Sequence, residues 1–304
     1  MIITVIIIAA CILDFLLGDP PNRFHPVAWT GRWINRLWSI RPSGTPGLFI
    51  WGILITLSGI ILFALPLSLL EYLPEPVLIL LSIPLLKLSF SLRNLFRAAA
   101  DIKKLLASGD LEEARTQTSR HLVSRDTSEL PETGIAAAVI ESVAENITDS
   151  FTSPLFYFLL FGLPGAWAYR WVNTCDAMLG YRRDDYEWGG KFAARLDDII
   201  NFIPARITAF SIIIAGIGRR NLKTVCSGTV KNRQKTDSPN AGWTMAAIAS
   251  LLDIRLEKKG YYIINEKGRE PETGDIGACI KICKAASVIL LLITALSGIL
   301  AYGI

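Results

Sequence analysis

The chain of 304 residues is 51% hydrophobic and carries a formal net charge of +4. Its positive mean hydropathy and recurring uncharged runs exclude an ordinary soluble domain and predict a membrane protein. Five cysteines without a CxxC pair and only two histidines, His25 and His121, leave zinc and iron–sulfur sites without a ligand set, and no basic helix with interleaved aromatics calls for nucleic acid.

Uncharged or nearly uncharged runs occur at Met1–Leu17, Gly47–Leu70, Pro76–Leu92, Phe151–Tyr169, Ile199–Gly218 and Ala285–Ile304. The fold class expected is all-α: a polytopic integral membrane protein with four to six membrane segments and cytoplasmic helical loops. The first run lacks a basic n-region and a small-residue cleavage signature, so it reads as a retained anchor. Lys87 interrupts the third run and Arg206 the fifth.

Lys and Arg concentrate after the first run (Arg23 to Arg41), between Arg93 and Arg125, and between Arg219 and Lys284. By the positive-inside rule these regions are cytoplasmic and the N-terminus is outside. Arg182, Arg183, Lys191 and Arg195 would lie outside if the fourth and fifth runs both crossed. Pro154, Pro164, Asn201, Pro204 and Arg206 make those two runs poor lipid-facing helices. Partly re-entrant or protein-buried segments, keeping residues 170–198 near the cytoplasmic face, are therefore expected.

The chain reads as one membrane-embedded domain, 1–304, with a cytoplasmic helical segment at 93–150 and a cytoplasmic cap at 219–284. The first segment is a helical pair broken at Ser108-Gly109, with Asp110 as N-cap and Glu113 at N3 reaching back to it. Pro131 suits the start of the next helix. In the cap, Tyr261-Tyr262-Ile263-Ile264 predicts a short strand or turn, and Cys279 and Cys283 share a helix face as small packing residues.

Before the fourth run stand Glu141, Glu145 and Asp149, at i, i+4 and i+8, on one face of a helix. Such a face is either solvated or relieved by a cation, and Mg²⁺ held together with substrate phosphates would serve. Polar residues then fall where lipid would not tolerate them. Arg170, Asn173, Asp176 and Arg182 follow the fourth run, and Arg195, Asp197, Asp198, Asn201 and Arg206 open the fifth. Asp14 lies inside the first run, and Gly18-Asp19-Pro20-Pro21 turns the chain toward His25-Pro26, a turn that His25 is expected to order.

In order along the chain, Asp14-Phe15-Leu16-Leu17-Gly18-Asp19-Pro20 with His25-Pro26-Val27, Ser124-Arg125-Asp126, Glu141-Ser142-Val143-Ala144-Glu145-Asn146 through Asp149, Tyr169-Arg170 with Asn173 and Asp176, Arg195-Leu196-Asp197-Asp198 with Asn201 and Arg206, and Ser238-Pro239-Asn240-Ala241-Gly242-Trp243 resemble the CbiB/CobD cobalamin-biosynthesis membrane proteins. The family's glycine-rich segment after the last motif has one glycine here, in Leu256–Tyr262. The resemblance implies adenosylcobinamide-phosphate synthase activity: ATP-dependent amide formation between adenosylcobyric acid and aminopropanol or its O-phosphate.

On that reading the cofactors are ATP and Mg²⁺, and the catalytic set is Glu141, Glu145, Asp149, Asp176, Asp197 and Asp198. Glu145, Asp149 and Asp176 would hold Mg²⁺; Arg125, Arg182 and Arg195 would hold phosphates; and one of Glu141, Asp197 or Asp198 would take the amine proton. No GxxxxGK[ST] run exists, so the nucleotide needs another device. Asn146, Asn173, Asn201 and Asn240 suit the corrin's amide rim, and Trp243 offers a face to a flat ring or adenine. Asp14, Asp19, Asp126 and Arg206 complete the substrate-binding set. The expected partners are the two substrates, the lipid bilayer and neighbouring corrinoid-pathway enzymes, with the active site on the cytoplasmic side of the cell membrane. The alternatives are a transporter for an amphiphilic anion and a noncatalytic membrane sensor. No internal repeat supports the first, and the complete carboxylate and asparagine set argues against the second.

Overall fold

The computed structural model describes residues 2–181 and 184–302; among them the chain is almost wholly helical, with a single two-stranded sheet. Four helical stretches are long and apolar enough to cross a membrane: Thr45–Tyr72, Glu75–Ala107, Glu132–Leu179 and Thr273–Leu300. Lys191–Ile200 with Phe202–Ala215, broken at Asn201, makes a fifth if the pair counts as one span. The protein is thus an all-α, polytopic membrane protein. The first apolar run is helical over its described length. Its helix, Ile2–Leu17, has 16 residues, which rise about 24 Å against a hydrocarbon core of about 30 Å.

The chain divides into two compact units. The first contains Met1–Ser91, Asp149–Asn201 and Ile293–Ile304; the second contains Leu92–Thr148 and Phe202–Leu292. Both segments set apart in the sequence, 93–150 but for its last two residues and 219–284, fall in the second.

In the first unit, Trp171 is the largest fully buried side chain. Its indole packs into the space left by Gly59, where a Cβ would stand 1.8 Å from the ring. Trp171 Nε1 donates to the carbonyl of Thr56 at 2.7 Å, so the nitrogen is satisfied where no water reaches. The helix Thr45–Gly59 then loosens into a π turn at Ile60–Ala64 and a 3₁₀ segment, Leu65–Tyr72.

The fourth apolar run is not one rod. Ser153–Leu179 is interrupted at Phe161 and Gly162, with Gly162 at φ +63 and ψ −155. Only glycine adopts that conformation readily, and Pro164 then denies the next turn a donor. The chain reverses there. Tyr157 and Tyr169 stack with ring centres 5.6 Å apart, and a Cβ on Gly165 would lie 2.4 Å from the carbonyl oxygen of Tyr157. The run that Pro154 and Pro164 marked as a poor lipid-facing helix is thus a helical hairpin, turned at Gly162, which was not among the sequence-derived signals.

In the second unit the helix Glu132–Ile147 begins after Pro131 at its N-cap and is buried on every side from Ile135 to Ala144. Small residues at Ala136, Ala137 and Ala138 allow this close approach, and the helix Ala241–Leu252 packs against it. The helices Leu92–Ala107 and Leu111–His121 meet at Gly109, whose φ is +79. Asp110 caps the second of them by accepting from the backbone N–H of Glu113 at 3.1 Å. The carboxylate of Glu113 instead accepts from Gln117 at 2.6 Å. The expected strand is present: Leu256–Lys258 pairs antiparallel with Tyr262–Ile264 around Gly260.

The helical face predicted for three carboxylates is confined to Glu141 and Glu145. Asp149 lies in a π turn, Thr148–Thr152, whose wider spiral breaks the i+4 register, and it belongs to the first unit.

Candidate active site

Within the second unit, Glu141 is only 5% exposed, which removes the solvated-face alternative for it. Its Oε2 accepts from Arg125 Nη2 at 2.9 Å, so the buried carboxylate is paired as burial requires. The pair borders a cavity of about 160 Å³ whose wall also includes Glu145, Asn146, Lys258 and Tyr262. Asn146 donates to the carbonyl and hydroxyl of Ser142 at 2.9 and 3.1 Å. The Tyr262 phenol is pushed well above its ordinary range by burial and then by the charges of Glu141 and Glu145, so it remains protonated.

Lys258 and Tyr262 were not among the sequence-derived candidates. The signal for them was the hairpin: directly paired residues present their side chains on one face, and Lys258 pairs with Tyr262. Asp126 does not line the cavity. It is exposed and accepts from the backbone N–H of Ser128 at 2.9 Å, a turn contact that holds its carboxyl below the usual range.

Elsewhere in the second unit Arg206 donates to Asn240 Oδ1 at 3.1 Å and lies over the rings of Phe202 and Trp243.

The first unit gathers the remaining acids. Asp197, 9% exposed, accepts from Asn173 at 3.2 Å through Oδ1 and from Asn201 at 2.9 Å through Oδ2. Asn201 in turn accepts from Ser153 at 2.6 Å and Tyr169 at 3.0 Å, and the Tyr169 hydroxyl is also 3.3 Å from Asp149. Asn201, at the break between two helices, thus ties the reversed hairpin to Asp197. The charges of Asp149 and Asp198 reach Asp197, and those of Asp197 and Asp198 reach Asp176. Against these acids stands Arg170, fixed by the carbonyls of Ser89 at 2.5 Å and Asp149 at 3.3 Å. Asp198 is also 4.0 Å from the exposed Arg195.

A third polar group in the same unit surrounds Lys87, which the sequence showed only as a flaw in an apolar run. Lys87 is 3% exposed, lies 3.4 Å from Asp14 and donates to Asp19. Ser91 also donates to Asp19, and His25 Nε2 lies 3.8 Å from it. Burial raises the Asp19 pKa, but hydrogen bonds from His25, Lys87 and Ser91 outweigh it and hold the carboxyl well below the usual carboxylate range. His25 Nδ1 accepts from Val27 N at 3.2 Å and caps the helix Pro26–Ser39, the ordering role expected of it.

Arg182 lies outside the described residues. Among the described residues, no group of three or more His, Cys, Asp or Glu is arranged to hold a metal ion. Glu145 lines the cavity of the second unit, and Asp149 and Asp176 belong to the acidic cluster of the first.

The family described as CobD/Cbib protein matches residues 7–291. The cobalamin biosynthesis protein CobD of Dehalococcoides mccartyi is 42% identical over 300 residues, 97% of each chain. The probable cobalamin biosynthesis proteins CobD of Pyrococcus furiosus and Methanothermobacter thermautotrophicus are each 42% identical, over 97% and 86% of each chain. No solved structure matches. With residues 7–291 matched to the family and a relative 42% identical over 97% of each chain, the chain belongs to the CobD/CbiB protein family.

Proposed function

We propose that the chain is an amide-forming ligase of cobalamin biosynthesis, joining a propionate side chain of adenosylcobyric acid to (R)-1-aminopropan-2-ol or its O-phosphate at the expense of ATP. The observation that carries this reading is the nearly full-length match to proteins named cobalamin biosynthesis protein CobD. The gathering of acids, amides and arginines inside otherwise apolar units supports it.

A carboxylate is a poor electrophile. Its oxygen must first take a phosphoryl group from ATP, releasing ADP, or an adenylyl group, releasing diphosphate. The amine then attacks the activated carbon, the C–N bond forms, phosphate or AMP leaves, and a base takes the amine proton.

Among the three acids considered for that base, Glu141 is engaged by Arg125, and both oxygens of Asp197 accept from asparagines. Asp198, with its side chain 25% exposed and Arg195 4.0 Å away, is the most exposed of the three, and on that ground we assign it the proton. Asp197, fixed by Asn173 and Asn201, acts as a positioned negative charge beside it.

Four carboxylates, Asp149, Asp176, Asp197 and Asp198, opposed by Arg170 suit a cation that arrives with phosphates. Mg²⁺ needs only one or two protein carboxylates when phosphate oxygens and waters fill its shell, and Asp149 and Asp176 would supply them, leaving Asp198 for the proton. Bound there, Mg²⁺ would offset charge on the phosphate oxygens. By the positive-inside rule the basic segments at 93–125 and 219–284 would be cytoplasmic, and this reading takes the reaction to occur on that side of the membrane.

The helix breaks at Gly162 and Asn201 also occur in transport pathways. One assay separates the readings, because detergent supports no gradient. Purified protein should consume ATP only when the corrinoid acid and the amine are both present. ATP turnover independent of either, or none with both, would reject the ligase.

A further inference from the structure

Two arginines in the second unit share one aromatic ring. The guanidinium of Arg206 lies 3.5 Å from the centre of the Phe202 ring and 5.1 Å from that of Trp243, and the guanidinium of Arg233 lies 4.8 Å from the same Trp243 ring. Like charges brought to one ring repel each other, and the ring faces offset that repulsion only partly. Other arginines of the chain are neutralised by acids: Arg41 by Asp185, Arg125 by Glu141, Arg220 by Asp253 and Arg269 by Asp275. Neither Arg206 nor Arg233 forms an ion pair with a carboxylate among the described residues.

Arg206 is also oriented. Arg206 Nη1 is held by the carbonyl of Phe202 at 2.5 Å and by Oδ1 of Asn240 at 3.1 Å, and Asn240 is itself only 6% exposed. A guanidinium fixed along one edge and stacked on a ring still presents its remaining N–H donors, a geometry matched to phosphate oxygens. Two guanidiniums within about 5 Å of one indole centre concentrate forked donors and positive charge at one place, which suits a ligand carrying more than one phosphoryl group. With no GxxxxGK[ST] run, a nucleotide in this protein needs another device.

We propose that Arg206 and Arg233, set in place by Phe202, Asn240 and Trp243, bind the polyphosphate of the nucleotide; this rests on the ATP-dependent reading above. Trp243 then serves as the platform for two guanidiniums, in place of the adenine face expected from the sequence.

The probe is inorganic tripolyphosphate, titrated calorimetrically into the full-length protein in neutral detergent without corrinoid or amine. Arg206→Gln and Arg233→Gln should each weaken binding at least ten-fold, and inorganic phosphate should bind at least ten-fold more weakly than tripolyphosphate. Arg233→Lys keeps the charge and loses the fork, so it should fall between wild type and Arg233→Gln; it also carries the test if a Gln variant is not monodisperse. Wild-type affinity in the substituted proteins, equal affinity for phosphate, or no binding at all overturns the proposal. A lipid headgroup is the competing source of phosphate. Binding in nanodiscs should therefore be the same in phosphatidylglycerol as in phosphatidylcholine, and its loss in phosphatidylglycerol would assign the arginines to lipid and overturn the proposal. The titration needs neither co-substrate. Tripolyphosphate binding without amide formation would count against the ligase alone, and amide formation with unaltered tripolyphosphate binding in the variants against this site alone.

Discussion

Tyr157 and Tyr169 stack with ring centres 5.6 Å apart and planes 10° from parallel, although twelve positions of helix separate them. In a straight helix their backbones would be about 18 Å apart; the reversal at Phe161–Gly162 brings them together. Gly162 is the hinge residue, in a region of φ and ψ essentially closed to other residues. Gly162→Ala should therefore destabilise the protein by roughly 1–3 kcal/mol, read as a lower thermal midpoint in detergent. An unchanged midpoint would mean that the reversal is held elsewhere.

Gly59→Ala tests the packing around the buried indole. The added methyl would stand 1.8 Å from Trp171, and the ring has no room to retreat because its nitrogen is bonded to Thr56. Overpacking of this kind costs about 1–3 kcal/mol. Double substitution with Trp171→Phe, which makes space, should recover part of the loss of thermal midpoint.

Lys87 compensates Asp14 and Asp19 where water is scarce. Lys87→Ala should cost about 3–5 kcal/mol, the usual penalty for leaving a buried charge without its partner. The sign of the pH effect follows from Asp19. Its folded pKa is depressed, so its stabilising contribution is full above the unfolded carboxylate value of about 3.9 and disappears as pH falls through the lower folded value. Thermal midpoints should thus show no contribution from Asp19 to pH dependence between pH 7 and about 5, and an acid-side fall that Asp19→Asn reduces. The same acid limb in both proteins would contradict this assignment.

Much of this architecture was legible in the residues. Hydropathy located the long apolar helices, Ser108-Gly109-Asp110 marked a helix junction, and Tyr261–Ile264 marked a strand. Pro154 and Pro164 flagged a run that could not be a plain span, but periodicity alone does not say that a helix turns back on itself at Gly162. The Glu141, Glu145 and Asp149 register failed at Asp149 because a π turn leaves no local signature in composition. Lys87 and Lys258 were missed for another reason: each acquires its role from a partner far away in sequence, Lys87 from Asp14 and Asp19, Lys258 from Tyr262 across the hairpin.

Orientation is open to direct labelling. A single cysteine at Asp184, in a background without the five native cysteines, should resist an impermeant thiol reagent applied to intact cells if residues 170–198 face the cytoplasm. Rapid labelling from outside would establish two full crossings instead.

The acids should separate by task. Asp149→Asn and Asp176→Asn preserve shape and remove charge, so the proteins should stay monodisperse while turnover falls about 10²–10³-fold, as for other electrostatic contributions to a transition state. Near-normal turnover in either would return that residue to a structural role.

The most direct measurement is product formation by the purified protein in detergent, with adenosylcobyric acid, aminopropanol or its phosphate, ATP and Mg²⁺, and the corrinoid product weighed by mass spectrometry. The account predicts a corrinoid heavier by the amine less one water, formed only with ATP, and its loss in a monodisperse Asp198→Asn variant. A wild-type protein that leaves the corrinoid acid unchanged under these conditions, or an Asp198→Asn protein that makes the amide at the wild-type rate, would contradict it.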